Sequence, residues 1–391
     1  MANITIIGGG SSAHTAIPLL SMAGHSVRLL THNPQKWDRN VKSKFVSEDG
    51  VVFDVFEGTL DKVSSSYDEL IPDSEVVLLC LPVNQYPDVV AKVAKSAKDK
   101  KIYLGTVYGQ GGFDWIVDYY KTKFNKEKIV PFTFGLIPWI CRTEEYGKVG
   151  VTYGCKDQNT ISIKSKSEFD YLNELFLDDI CFKSFNKGHF SHCNNFISST
   201  LSVDNQIIHM SRMYGLYLKA NDGWNDEASV PLFYKDYDQL SADLLTDLDA
   251  DYEKIRIVIR GSNSDLDFNY MLDYLELERF SYGSTSESVL DSFKDSTTLG
   301  TIKTPVKLYD GKFNLDKGHR FFYDDLYFGL VIAKWMAQEN SILTPTIDKI
   351  ILWAQEYLGT RVLDENGYLE NDKLESTPTY WGINDFQSII K

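Results

Sequence analysis

The stretch Asn3-Ile4-Thr5-Ile6-Ile7-Gly8-Gly9-Gly10-Ser11-Ser12-Ala13 decides the fold. Five residues of β-forming character run into a glycine turn, and a helical pattern opens directly after it. The turn fits G-x-G-x-x-A in the strand–turn–helix setting that this fingerprint requires. Gly8 permits a tight turn and Gly10 lets the backbone approach a pyrophosphate. Ser11 and Ser12 open the helix whose N-terminus faces the phosphates, and Ala13 keeps that helix close to the sheet. Pro18 falls inside the helix, where a proline removes a hydrogen bond.

Working outward, strand patterns recur at Ser26–Thr31, Val76–Leu81, Lys101–Leu104 and Ile129–Phe132. Helical patterns lie between several of them, at Tyr86–Ala97 and Phe113–Phe124. This alternation predicts a doubly wound α/β sheet of Rossmann type, with Val149–Tyr153 and Thr160–Ile163 extending it. Beyond about residue 190 long helical patterns take over, at Asn194–Lys219, Leu232–Ile259, Phe321–Met336 and Thr346–Tyr357. The expected organisation is a dinucleotide-binding Rossmann domain over 1–187. An all-α substrate domain of the 6-phosphogluconate-dehydrogenase-like kind follows over 188–391.

The length of 391 residues suits two cores. A net charge of −15 argues against nucleic acid or an anionic membrane as partner. Cys80, Cys141, Cys155, Cys181 and Cys193 are odd in number and without CxxC spacing, which fits reduced thiols in the cytoplasm. No secretory pattern and no apolar run of membrane length is present, so a cytoplasmic location is expected. His189, His192 and Cys193 form a metal-like triplet without a second ligand pair, so no metal is expected.

An acid about twenty residues after the fingerprint usually holds the ribose of NAD. Here the second strand ends Leu30-Thr31-His32-Asn33, and Lys36 and Arg39 follow. Thr31, Lys36 and Arg39 are therefore the candidates for the adenosine end. The balance leans toward NADP, with NAD as the alternative.

Four further segments carry polar groups that could serve chemistry. They are Gly109-Gln110-Gly111-Gly112-Phe113-Asp114, Pro138-Trp139-Ile140-Cys141-Arg142, the helix with Asn205 and His209, and Arg320-Phe321-Phe322-Tyr323-Asp324-Asp325. In this order after the fingerprint, they resemble the opine dehydrogenase family, the octopine/nopaline dehydrogenase group, over nearly the whole chain. The resemblance implies NAD(P)H-dependent reductive condensation of an amino acid with a 2-oxo acid, pyruvate by default. It implies His209 as the catalytic histidine and Asp325 as its acidic partner. Arg320 becomes a carboxylate holder, and Gln110 and Cys141 lie near the substrate. Histidine titrates near neutrality, a carboxylate fixes its tautomer, and arginine grips a carboxylate with two parallel donors.

The chain departs from the family pattern at Met210-Ser211 and Tyr327, where the family often has Pro-Gly and Pro. Asp324 stands where the family often has Glu, and it leaves a second acid as partner for His209. Trp224, Tyr234, Tyr270 and Trp335 are candidate pocket walls. A hydroxy acid dehydrogenase or ketopantoate-reductase-like enzyme is the alternative enzyme, and a non-catalytic NADP sensor the alternative outside catalysis. Oligomeric state stays open, with a homodimer among the options.

Overall fold

The computed structural model describes residues 1–47, 49–262, 265–294, 300, 302–370 and 374–390. The chain forms two compact units. One is Met1–Ser199 with Phe280–Tyr282, and the other is Thr200–Arg279 with Gly283–Lys391.

In the first unit, β1 (Asn3–Ile7) is buried on both faces after its first residue, as its unbroken aliphatic run requires of a central parallel strand. The glycine turn leads into α1 (Ser11–Met22) and then β2 (Ser26–Leu30). Next come β3 (Asn40–Val46), β4 (Val52–Thr59), β5 (Lys62–Ser64) and β6 (Val76–Leu79). They are followed by α2 (Tyr86–Ser96), β7 (Ile102–Thr106), α3 (Phe113–Phe124) and β8 (Ile129–Phe134). The unit closes with β9 (Trp139–Glu145), β10 (Val149–Cys155), β11 (Gln158–Ser162) and β12 (His189–Cys193). The main sheet runs β12-β11-β8-β7-β6-β1-β2-β5. From β5 to β8 every pairing is parallel, in the 3-2-1-4-5-6 order of a Rossmann sheet. The glycine turn thus sits at the carboxyl end of β1, beside the point where the strand order reverses.

Two expectations about this sheet change. Residues 149–153 do not extend it: β10 belongs to a second sheet, β4-β3-β10-β9. Residues 160–163 do join it through β11, but antiparallel to β8. β12 then pairs with β11 in parallel, so 189–193 completes the first unit's sheet instead of opening the helical one. There His192 Nε2 bonds the Ile163 carbonyl at 2.8 Å and Cys193 Sγ donates to the Asn195 carbonyl.

The second sheet covers α1. Helix α1 touches β1 and β2 on one side and β3, β4, β9 and β10 on the other. Every residue from Ala13 to Leu20, Pro18 included, is therefore buried. Two glycines set this spacing. A Cβ on Gly58 would lie 2.5 Å from Cα of Pro18, and one on Gly150 would lie 2.8 Å from Cβ of His14.

The second unit is built on α4 (Asn205–Lys219), α5 (Gln239–Ser262), α6 (Val331–Glu339) and α7 (Pro345–Leu358). A short hairpin, β13 (Val306–Tyr309) with β14 (Lys312–Leu315), accompanies them. Helix α4 begins at Asn205 rather than 194, capped by the Asp204 side chain. Helix α5 begins at Gln239 rather than 232. The preceding segment is held irregular by side-chain bonds, and Asp238 Oδ1 receives the N–H of Ser241. The helix expected from 321 instead opens as a π-helix over Phe322–Leu330, with the Val331 N–H reaching back to the Leu326 carbonyl.

Gly58→Ala is expected to force β4 off α1, because the obstacle is backbone. Overpacking of this kind costs about 1–3 kcal/mol. A loss in that range on denaturant unfolding is expected, and an unchanged midpoint would contradict the close packing.

Candidate active site

The glycine turn is explained by the protein's own atoms at two of its three positions. Gly8 has φ +119°, and a Cβ there would meet the Cys80 carbonyl oxygen at 2.3 Å. A Cβ on Gly9 would meet Oη of Tyr146 at 2.5 Å. Gly10 differs: nothing lies within 4 Å of a Cβ placed there. It caps α1 without a side-chain bond, and the first helical turn carries no acid. The helix bonds begin with Ala13 and His14 donating to the Gly10 carbonyl, so the N–H groups of Ser11 and Ser12 precede the ladder. An open surface, free donors and the positive helix end together fit a dinucleotide pyrophosphate.

His14 holds this turn. Its Nδ1 lies 2.9 Å from the Gly10 carbonyl, and its Nε2 accepts the N–H of Gly147 at 2.8 Å. Only the neutral ring protonated at Nδ1 satisfies both bonds. Burial pushes its pKa down, against a smaller upward pull from the Gly10 bond. Trp37 and Tyr146 pack about the ring.

The adenosine-end candidates are distributed as follows. Thr31 is buried at the end of β2, its N–H bonded to the Ser64 carbonyl. Lys36 is exposed at the end of the Pro34–Lys36 turn. Arg39 is exposed and donates Nε and Nη2 to the carbonyls of Leu60 and Asp61 at 3.4 and 3.0 Å. Cys141 on β9 is buried beside the hydroxyls of Ser12 and Thr15, and burial raises its pKa, leaving a protonated thiol. Gln110 is fully buried, and its Oε1 accepts from the Tyr108 hydroxyl.

In the second unit His209 stands on one stripe of α4 with Gln206 and Arg212, three residues to either side of it. Gln206 Nε2 donates to the Phe328 carbonyl in the π-helix at 3.1 Å. Gly329 makes the approach possible, because a Cβ there would lie 2.8 Å from the Gln206 side chain. His209, 1% exposed, places Nδ1 2.7 Å from Oδ2 of Asp325. Its Nε2 lies 2.8 Å from Oη of Tyr234. Phe321 stacks on the ring at 3.7 Å. Of the two acids, Asp325 is the partner of His209. Asp324, also buried, faces Arg320 at 3.5 Å. Arg320 keeps much of its side chain exposed, and its guanidinium lies over the Phe321 ring at 5.3 Å. His319 stands edge-on to Phe321, its pKa pushed down to about 4 by burial and by the neighbouring Arg320 and His209.

Two site residues carried little sequence signal. Arg212 is fully buried, and nothing in the sequence distinguishes it from a surface arginine on α4. Tyr234 is a candidate wall whose contact with His209 depends on the path of the irregular segment. Trp335 is core, its Nε1 donating to Thr379. Trp224 and Tyr270 are half-buried. Among the described residues no His, Cys, Asp and Glu group has metal-binding geometry, and no helix is long and apolar enough to cross a membrane.

A Rossmann sheet with an open glycine turn, coupled in sequence to a helical unit with a buried His–Asp pair, defines an NAD(P)-dependent oxidoreductase. Residues 192–358 match the family described as NAD/NADP octopine/nopaline dehydrogenase, alpha-helical domain. Residues 3–108 match that described as NADP oxidoreductase, coenzyme F420-dependent. Over nearly its whole length the chain is similar to tauropine and octopine dehydrogenases. It is 24% identical to tauropine dehydrogenase of Arabella iricolor over 100% of both chains. It is 26% identical to octopine dehydrogenase of Mizuhopecten yessoensis, over 99% of this chain and 98% of that one. The structure of octopine dehydrogenase with NADH and L-arginine superposes with TM-score 0.82 at 21% identity, over 100% of this chain and 98% of that one. A PanE/ApbA family ketopantoate reductase from Ralstonia eutropha gives TM-score 0.56 at 11% identity, over 91% of this chain and 98% of that one.

Because His14 is neutral when folded and titrates from 6.5 when unfolded, the unfolded chain binds the extra proton as pH falls below about 6.5. Stability is therefore lost as pH drops through that value. His14→Gln should flatten the decline in unfolding free energy between pH 7 and pH 5. An identical slope would contradict the neutral, doubly bonded ring.

Proposed function

We propose that this chain reductively condenses pyruvate with an amino acid, using NADPH in preference to NADH, to give an N-(carboxyalkyl) amino acid. The observation that carries the reading is the buried pair of His209 and Asp325. Asp325 accepts from Nδ1, which leaves Nε2 as the nitrogen that exchanges protons. Condensation needs such a group: the amine nitrogen adds to the carbonyl carbon, the former carbonyl oxygen takes up protons and departs as water, and a C=N bond remains. The bound nicotinamide supplies the hydride that saturates that bond. Arg320, exposed and adjacent to the Phe321 ring that covers His209, suits the 2-oxo acid carboxylate, whose two oxygens match its planar donors.

The cofactor preference rests on the end of β2. Thr31-His32-Asn33 offers no carboxylate to a ribose 2′-hydroxyl, and Lys36 offers a cation to a 2′-phosphate. Because Nε and Nη2 of Arg39 are turned to Leu60 and Asp61, Lys36 is the principal cation of this preference.

NADPH oxidation by the purified protein should require pyruvate and an amino acid together, and mass spectrometry should find the secondary amine. Equal oxidation with the 2-oxo acid alone would instead favour a hydroxy acid dehydrogenase. Lys36→Ala should raise KM for NADPH on the order of tenfold, the loss of about one charge-assisted contact, while leaving KM for NADH within twofold. Equal changes for both cofactors would remove Lys36 from the discrimination.

A further inference from the structure

We infer that Tyr146, at the tip of the β9–β10 turn, is a cofactor-binding residue supplied by the second sheet, its hydroxyl bonding the adenosine ribose of the dinucleotide. This inference rests on the reading of the glycine turn as the pyrophosphate site. A Rossmann sheet ordinarily draws its cofactor contacts from turns at the carboxyl ends of its own strands. Here a turn of the β4-β3-β10-β9 sheet is brought up against two of those turns at once.

It meets the first at Gly9. A Cβ on Gly9 would lie 2.5 Å from Oη of Tyr146, so the tip of the phenol stands over the middle of the glycine turn. It meets the second at Pro34–Lys36. The Tyr146 ring lies edge-on to Trp37, the residue after Lys36, at 5.6 Å and 67°. The Asp38 N–H bonds the Gly147 carbonyl at 3.1 Å. Gly147 has φ +77°, and a Cβ there would lie 2.0 Å from the Lys36 carbonyl oxygen, so only glycine admits this approach. His14 joins the two contacts, since one ring holds the Gly147 N–H and the Gly10 carbonyl.

The backbone of the β9–β10 turn is thus pinned, while the side chain at its tip is left open. Tyr146 is 41% exposed, and its hydroxyl has no hydrogen-bond partner among the described residues. Covering Gly9 would need no hydroxyl. What gives the hydroxyl a use is its place between groups that fit two points of one ligand. The N–H groups of Ser11 and Ser12 suit the pyrophosphate, and Lys36 suits a substituent at the 2′ position. In a dinucleotide the adenosine ribose joins those two points. A phenol both donates and accepts, as a sugar hydroxyl requires, and its ring packs on the sugar. The 3′-hydroxyl is the one that NADH and NADPH share. Tyr146 therefore holds the adenosine half of either cofactor, whereas Lys36 answers to the phosphate that NADPH adds.

The test is Tyr146→Phe titrated with NADPH, NADH, ADP-ribose and reduced nicotinamide mononucleotide, with thermal melting confirming the fold. Loss of one hydrogen bond should raise Kd for NADPH, NADH and ADP-ribose alike, on the order of fivefold. Kd for reduced nicotinamide mononucleotide, which lacks adenosine, should stay within twofold, as should kcat at saturating NADPH. Unchanged Kd for NADPH overturns the inference. So does an equal loss for the mononucleotide, which would mean a deformed glycine turn, and so does a loss confined to NADPH, which would place the hydroxyl on the 2′-phosphate. Failure of the unaltered protein to bind either ADP-ribose or NADPH instead overturns the pyrophosphate reading beneath it. If Tyr146→Phe does not fold, 3-fluorotyrosine at position 146 keeps the packing. Its ¹⁹F resonance should then move on adding ADP-ribose and not on adding the mononucleotide, and a resonance indifferent to ADP-ribose overturns the assignment.

Discussion

A buried histidine and a buried aspartate 2.7 Å apart constrain much of the second unit. Neither tolerates being left alone: breaking such a pair typically costs about 3–5 kcal/mol, because the remaining group stays buried without its partner. The surrounding features hold the pair in register. The π-helix over Phe322–Leu330 delivers two consecutive acids to buried positions, Asp324 facing Arg320 and Asp325 facing His209. A π-helix is rarely sustained without support, and Gln206 provides it by bonding the Phe328 carbonyl while Gly329 leaves room for its side chain. The stripe 206, 209, 212 on α4 thus fixes in turn the helix that brings the acid, the acid itself and the segment that brings Tyr234.

The first unit meets a different constraint. Its glycine turn must leave donors uncovered, so its shape has to be fixed from outside the turn. Helix α1 is clasped between two sheets, and Gly58 and Gly150 let the second sheet reach its backbone. His14 ties the Gly10 carbonyl to the β9–β10 turn at Gly147. The turn is thereby held in place although it contains three consecutive glycines.

Much of this was legible in the sequence. The Rossmann half announces itself because parallel strands buried on both faces need unbroken aliphatic runs, and because a glycine turn between strand and helix has few other uses. His209 and Asp325 were legible only through the order of four motifs. The chain alone does not show that Asp325 rather than Asp324 meets the ring, since that depends on a π rather than an α turn. The second sheet was missed because its purpose lies across space: Gly58 and Gly150 look like strand breakers until α1 stands opposite them. The segment before Gln239 reads as helix by its apolar spacing. Arg212, distant in sequence, overrides that preference by holding its carbonyls.

The measurement that bears most directly on this account is the imidazole ¹⁵N spectrum of His209, assigned by comparison with His209→Gln. A neutral ring protonated at Nδ1, with that proton shifted far downfield and lost in Asp325→Asn, is the predicted result. A ring protonated at Nε2 alone, or one indifferent to Asp325→Asn, would contradict the pairing from which the site is built.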